Sequence, residues 1–474
     1  MTTSGPLRVA IIGAGPAGIY AADILKKSER DVVVDIFERL PTPFGLVRYG
    51  VAPDHPRIKQ IIVALHRILS RGDIRFFGNV NVGTDVTMAE LRAHYDAVIV
   101  ATGADRDAPL DLPGIDLDGS YGAADFVHWY DGHPDHPRTW PLRASSVAVL
   151  GVGNVALDVA RMLAKHVEDL MPTEVPDNVV AGLRANPVTD VYIFGRRGPA
   201  QVKFTPLELR ELGQVPDVDV VVYPEDFDFD EGSEEAIRAS NQTKQVVKTL
   251  TDWTLREPEE MTASRRIHLR FLQRPVEVLG EDGRVTAVRT ERTELVGDGT
   301  VRGTGEYTDT PVQAVYRAVG YFSSPIPDLP FDAVGGIVPN DEGRVLDDAG
   351  GILEGVYATG WIKRGPVGLI GSTKSDAQQT VNHLFADADA GRLTGAGGGD
   401  PQALLATIEE RAPRITTWAG WELLDAYERQ LGESQGRERI KVVPREDMTA
   451  ISRGEHVSQA APESLPADAV ELGT

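Results

Sequence analysis

Cysteine is absent from all 474 residues. Its absence excludes disulfides, thiol nucleophiles, thiolate metal sites, redox-active dithiols and cysteine-ligated iron–sulfur clusters. If the protein moves electrons, the carrier on this chain is an organic cofactor, and any iron–sulfur centre belongs to a partner. Basic side chains are scarce beside acidic ones: 48 Lys and Arg face 71 Asp and Glu, a formal net charge of −23. That excess argues against non-specific binding to nucleic acid or anionic lipid. No run approaches the roughly 20 apolar residues of a membrane-spanning helix. The nearest candidate, Val9–Ala22, is interrupted by Gly13, Gly15, Pro16 and Gly18 and has only Arg8 as a basic flank. A signal peptide is not expected and a cytoplasmic location is.

Strand and helix patterns alternate from the start. Arg8–Gly13, Val32–Arg39, Ile74–Phe77, Val80–Gly83 and Asp96–Ala101 read as strands, and Pro16–Lys27, Pro56–Ser70 and Met88–Tyr95 as helices. Such alternation predicts a parallel, doubly wound sheet. A second cycle opens with strand Val147–Gly151, helix Val155–His166 and strand Val191–Gly195, with further strands at Val218–Tyr223, Ile267–Leu272, Arg284–Arg289 and Val312–Val319. Glu225–Glu235 carries seven acids and reads as a solvated loop or the entry to a helix. A strand at Val356 leads to a helix over Ser375–Asp389, and Gly391–Gly399 is a glycine-rich linker. Helices are expected around Ala403–Arg411 and Thr416–Leu431, whereas 453–474 lack periodicity and read as a disordered tail.

Two glycine loops carry the chemistry. Gly13-Ala14-Gly15-Pro16-Ala17-Gly18 joins a strand to a helix, and Glu38 ends the next strand. Gly13 permits the tight turn, Gly15 lets a pyrophosphate approach the backbone, and Gly18 allows close helix–strand packing. The helix N-terminus presents free N–H groups and a positive dipole to phosphate, while Glu38 suits the hydroxyls of an adenosine ribose. The second loop, Gly151-Val152-Gly153-Asn154-Val155-Ala156, has alanine in place of the third glycine. Its next strand ends in Gly195-Arg196-Arg197. Two guanidiniums without a carboxylate fit a 2′-phosphate, so the second site selects NADP(H). Two dinucleotide sites in one chain point to a flavoprotein supplied by a nicotinamide. Ala101-Thr102-Gly103 and Ala318-Val319-Gly320 fit strand-ending turns where the chain crosses between domains. Tyr357-Ala358-Thr359-Gly360-Trp361 fits a flavin-contacting segment followed by a helix aimed at the ring.

Pro43–Lys59 (PFGLVRYGVAPDHPRIK), Gly153–Arg161 (GNVALDVAR), Gly195–Pro199 (GRRGP) and Gly360–Gly368 (GWIKRGPVG) are specific signatures. By them the chain resembles the adrenodoxin reductase-like NADPH–ferredoxin reductases over nearly its whole length, to about Ile451. The resemblance implies an α/β fold of two doubly wound, Rossmann-like domains, with an NADP domain (105–321) inserted into an FAD domain (1–104 and 322–452). It implies one FAD, NADP(H), and delivery of electrons to a small iron–sulfur ferredoxin. It places Ala17, Glu38, Leu46, Val82, Trp361 and Gly368, Leu369 and Ile370 at FAD. Gly153, Asn154, Val155, Ala156, Arg196, Arg197 and Glu208 fall at NADP(H), with Gly368 near the nicotinamide. Two departures stand out: Val152 occupies a position often polar in relatives, and Trp361 replaces the acid of the wider disulfide-reductase superfamily.

Transfer between nicotinamide and flavin needs neither thiol nor metal. His55 and Glu211 are candidates to orient the nicotinamide or handle a proton, with hydrogen-bonded structural histidine and solvated helix charge as the alternatives. Glu208 and Glu211 share a helix face. Disulfide reductases are excluded by the missing cysteines, as is a glutamate-synthase-type small chain. A flavin-dependent NADPH oxidase or monooxygenase acting on a small organic acceptor remains the alternative enzyme, and a nucleotide-sensing module the non-enzymatic one. Because ferredoxins are usually acidic, docking calls for a local basic patch. Arg48, Arg57, Lys59, Lys203, Arg210, Lys363 and Arg364 are its candidates.

Overall fold

The computed structural model describes residues 5–368, 370–393 and 399–455. Leu369, 394–398 of the glycine-rich linker and 456–474 of the expected tail lie outside them.

Among the described residues the first sheet has seven strands. Arg75–Gly78, Val32–Glu38, Leu7–Ile12, Ala97–Val100 and Ile352–Ala358 run parallel in that order. Arg344–Leu346 and Asn340–Asp341 extend it antiparallel. Val9 and Ile11 enter the core on one face, and Ala10 and Ile12 the core on the other. Burial on both faces explains why these strands read as unbroken apolar runs. Helix Pro16–Lys27 begins on a proline at its first position and ends on Lys26 and Lys27, which complement its dipole.

The second sheet is parallel throughout, in the order Ser120–Gly122, Ala314–Arg317, Ser146–Leu150, Asp190–Phe194, Arg265–Arg270, Val218–Val222. A three-stranded antiparallel meander, Gln273–Glu281, Arg284–Leu295 and Val301–Pro311, sits beside it. The two segments that run between the large sheets pair with each other, Tyr321 opposite Asp107 and Phe322 opposite Arg106.

Several expectations need correction. Val80–Gly83 is not a strand; Val82 makes one isolated bridge, to Val86. The helix expected over Pro56–Ser70 is divided at Gln60 into Pro56–Lys59 and Ile61–Leu69. The acidic stretch is not wholly solvated. Asp226 is fully buried, 2.8 Å from Arg270 and 2.6 Å from Arg292.

The segment before the last helix, Arg445–Ser452, crosses between the two sheets' cores. Lys441 Nζ donates to Arg48 O (2.8 Å) and Asp131 O (3.1 Å) and lies 2.8 Å from Glu174 Oε1. Glu174 also receives Lys59 at 2.6 Å. Arg439 sits 2.7 Å from Asp425 and 3.2 Å from Glu428, and Glu428 holds Arg48 through two bonds of 2.6 and 3.0 Å. Burial works against the Glu174 carboxylate, yet Lys441, Lys59 and Arg439 around it hold its pKa well below the usual range. Breaking a buried, paired charge typically costs about 3–5 kcal/mol. Lys441→Met is therefore expected to lose about that much in denaturant unfolding. Lys248→Met, which removes an exposed pair with Asp252, should change stability by less than about 1 kcal/mol.

Candidate active site between two glycine loops

The first glycine loop opens onto a cavity of about 510 Å³. A side chain at Gly13 (φ +106°) would lie 2.5 Å from Ala101 O, and one at Gly18 would lie 2.1 Å from Gly13 O. Both positions therefore require glycine for packing. A Cβ on Gly15, by contrast, would meet nothing within 4 Å, and Gly15 lines the cavity. The bare backbone at that point leaves room for a phosphate to approach.

Glu38 closes one end of the cavity. Its Oε2 accepts the Ala14 N–H at 2.7 Å and its Oε1 the Leu40 N–H at 3.0 Å. Burial raises its pKa, opposed by those two N–H groups. Ala17, Leu46, Val82, Gly103 and Trp361 line the same space. Trp361 follows Gly360 (φ +79°), where a Cβ would stand 2.7 Å from that of Ala17. Asp376 accepts the Gly360 N–H at 2.5 Å and the Thr359 hydroxyl at 3.1 Å, fixing the turn to helix Ile370–Asp389. These features fit an adenine dinucleotide flavin: an open backbone cradle, a carboxylate at the second strand's tip and a largely apolar wall. Gly18 lies behind the loop, and Gly368 (φ +89°) is exposed beyond the cavity, next to Ser372 and Arg364. Ile370 opens its helix. Leu369 lies outside the described residues.

The second loop meets the first. Val155, at the start of helix Asn154–Ala164, lines the same cavity as Gly13 and Gly15. A Cβ on Gly153 would meet nothing within 4 Å, so this backbone is open as well. Asn154 Oδ1 accepts the Thr205 N–H at 2.9 Å and so anchors helix Pro206–Leu212, which carries Glu208 and Glu211. Ala156 is fully buried with its N–H bonded to Gly153 O at 3.1 Å, which makes it a packing position. Val152 packs where a Cβ on Gly195 would fall, 2.6 Å from its Cγ1, so an apolar residue there covers the next strand's tip. Arg196 is exposed and Arg197 half-buried. Among the described residues neither guanidinium has a hydrogen bond or ion pair.

His55 stands between the loops in a cluster of charge. Its Nε2 lies 2.9 Å from Asp158 Oδ1 and 3.2 Å from Glu208 Oε2, and its Nδ1 lies 2.9 Å from Glu211 Oε2. Arg161 lies 2.9 Å from both Asp54 and Asp158, and Lys165 is 2.9 Å from Asp54. Four carboxylates thus face two fixed cations, and a protonated His55 supplies a third. Burial opposes that charge, but the bonds to Asp158 and Glu208 outweigh it and push the pKa up to about 10. Arg161 Nη2 also approaches His55 Nε2 to 2.5 Å, a contact two cations disfavour. The carboxylates at both ring nitrogens outweigh it. Asp54, Asp158, Arg161 and Lys165 escaped the reading of the sequence. The available signal was Asp158 and Arg161 falling four and seven residues after Asn154, on one helix face.

Three of the seven docking cations are corrected. Arg48, Lys59 and Lys363 are buried, held by Glu428, by Glu174 and by Asp376 (3.0 Å) respectively. Arg57, Lys203 and Arg210 are exposed, and Arg364 is half-buried.

A family model described as pyridine nucleotide-disulphide oxidoreductase matches residues 7–191. The chain is 42% identical over 459 residues to NADPH-ferredoxin reductase FprA of Mycobacterium leprae, covering 94% of this chain and 98% of that protein. It is 39% identical over 461 residues to the human mitochondrial NADPH:adrenodoxin oxidoreductase, covering 94% and 91%. The chain belongs to the NADPH–ferredoxin and adrenodoxin reductase family. A solved structure of Mycobacterium tuberculosis FprA in complex with NADPH superposes with a TM-score of 0.87 at 40% identity, covering 95% of this chain and all of that one. The family resemblance carried by the four sequence signatures therefore holds. Among the described residues no helix is long and apolar enough to cross a membrane.

The raised pKa of His55 has a definite pH signature. A group whose folded pKa exceeds its unfolded value contributes stability that is complete below the unfolded pKa and lost as pH rises through the folded one. Relative to His55→Gln, the native protein should be most favoured below about pH 6.5, the unfolded histidine value. The difference should shrink steadily towards pH 10, as read by urea midpoints at each pH.

Proposed function

We propose that this member of the family passes electrons from NADPH, through FAD, to a small iron–sulfur ferredoxin. One observation carries the reading: the second glycine loop, followed by two unpaired arginines, presents Val155 to the cavity of the first. FAD, when bound, supplies the exchange between a two-electron donor and a one-electron acceptor. The rest is the work of this chain's own groups. In this reading residues 1–104 and 322–452 hold FAD, and 105–321 hold NADP(H). Gly15 and the N–H groups at the start of helix Pro16–Lys27 receive the flavin's pyrophosphate, and Glu38 its ribose hydroxyls. Trp361, Leu46 and Val82 exclude water from the cavity. Gly153, Asn154 and Val155 receive the phosphates of NADP(H), and Arg196 and Arg197 its 2′-phosphate.

His55, sealed among carboxylates, is a cation at neutral pH and acts best as a positioning residue that holds helix Pro206–Leu212 against the site. Glu211 is the more accessible of the pair, its side chain about a third exposed, and is the one that can reach a nicotinamide carboxamide. Glu208, held at 3.2 Å from His55 and 3.8 Å from Arg161, supports this geometry. Arg57, Lys203, Arg210 and Arg364 form the docking cations that remain. A cytoplasmic location goes with this reading.

Flavin released by denaturation should be FAD, and under anaerobic conditions NADPH should bleach it and then reduce an added ferredoxin. Release of FMN, or bleaching with no ferredoxin reduction across a panel, would overturn the reading. Arg196→Gln and Arg197→Gln should each remove about 1.5–3 kcal/mol of binding, the worth of a charge-assisted contact. That is roughly 10- to 150-fold in kcat/KM with NADPH, with little change for NADH. Lys203→Glu with Arg210→Glu should slow ferredoxin reduction, more at low salt than at high, while dye reduction by NADPH is preserved.

A further inference from the structure

One group of side chains stands at the edge of the first loop's cavity: His128 and His133 line it, whereas Asp125 and His136 lie outside its wall. Helix Ala123–Tyr130 carries Asp125 and His128 three residues apart, so both project from one face. The chain then turns at Gly132 (φ +70°), where the His133 N–H bonds to His128 O at 2.8 Å. This turn brings two more imidazoles back over the same face. The ring of His128 lies 4.8 Å from that of His133 and 4.4 Å from that of His136. His136 Nδ1 stands 3.7 Å from Asp125 Oδ1. One ligand atom each from Asp125, His128 and His136 lies within 4.8 Å of the others.

His128 is 4% exposed, and its Nδ1 has no hydrogen-bond partner among the described residues. The neighbouring ring differs: His133 Nδ1 already accepts the Asp135 N–H at 3.2 Å. A buried imidazole nitrogen left without a partner is costly, and a ligand at that nitrogen removes the cost.

We propose that Asp125, His128 and His136 bind one divalent transition-metal ion of the zinc, cobalt or nickel type. Two imidazoles and a carboxylate suit these ions and not calcium or magnesium, which take oxygen ligands. At bond lengths of about 2.0–2.2 Å the ligand atoms of a tetrahedral site lie roughly 3.3–3.5 Å apart. The Asp125–His136 pair is already close to that spacing, and the His128 ligand atom lies within 4.8 Å of both. Asp125 is exposed and His136 half-buried, which gives the ion a path from solvent and leaves a coordination position for water. Metal binding competes with protonation of both imidazoles, and their burial favours the neutral, ligating form. Arg39 is the opposing charge, and Asp105, 3.6 Å from it, offsets it. The ion would clip the loop after the helix in place, and that loop bears Asp135, the 2.5 Å partner of Arg445 near the chain's end.

The test uses untagged, FAD-loaded protein freed of metal by chelation, with ZnCl₂ titrated in a calorimeter and Co²⁺ followed by its visible bands beyond the flavin absorption. One saturable equivalent per chain is expected, with a rise in Tm on loading. Asp125→Asn and His136→Gln should each weaken binding at least tenfold while leaving the flavin spectrum and NADPH-dependent dye reduction unchanged. His166→Gln, which alters an exposed histidine paired with Asp217 elsewhere, should bind as the native chain does. No saturable binding, or equal affinity in all three variants, would overturn the proposal.

Discussion

A single short segment ties the two halves of this molecule together, and the remaining geometry depends on it. Asp54, His55 and Lys59 lie within six residues, yet they feed two separate buried charge networks. Asp54 and His55 engage Arg161, Asp158 and Glu208 on the second glycine loop's helix and its neighbour. Lys59 engages Glu174, which also holds Lys441. Ala52, just upstream, is fully buried in the core of the second sheet although the chain around it belongs with the first. Burying charge is tolerable only where each ion keeps its partners at close range. The partners here come from both sheets, so sliding one sheet against the other would strand several ions at once.

That constraint has a functional meaning. Transfer between two bound cofactors depends on holding them within reach in one orientation. Each glycine loop sits on its own sheet, but only the interface sets one loop against the other. Val155 in the wall of the first loop's cavity is the visible consequence. Pairing of Tyr321–Phe322 with Arg106–Asp107 adds a backbone link where the chain passes between the sheets.

The glycine loops and the strands before them were legible in the sequence because their requirements are local: positive φ, close backbone approach and a helix start within a few residues. Gly13, Gly15, Gly18 and Glu38 occupy the places their spacing implied. Long-range pairing was not legible. Arg48 read as a free surface cation because Glu428 is 380 residues away. Lys59 misled for the same reason, its partner Glu174 lying far along the chain, whereas Lys363 pairs with Asp376 in the next helix and misled because a cation between two glycines reads as solvated. Asp226 was hidden in an acidic run, and Arg270 and Arg292 reach it from the second sheet and the meander. The meander's edge strand Val301–Pro311 is mostly exposed, so it lacks the apolar alternation that would announce it. His55 was placed in the site by its motif, but its charge state follows from Asp158 and Glu208, which only the fold brings to it.

Interface charges paired in this way preset the separation of the two glycine loops before either cofactor arrives. A crystal structure with FAD and NADP⁺ both bound tests it most directly. Flavin is expected in the cavity bordered by Gly15, Trp361 and Val155, with Arg196 and Arg197 on the 2′-phosphate and the Lys441–Glu174 and His55–Glu208 contacts intact. A rotation of one sheet against the other on binding, with those contacts broken, would contradict it.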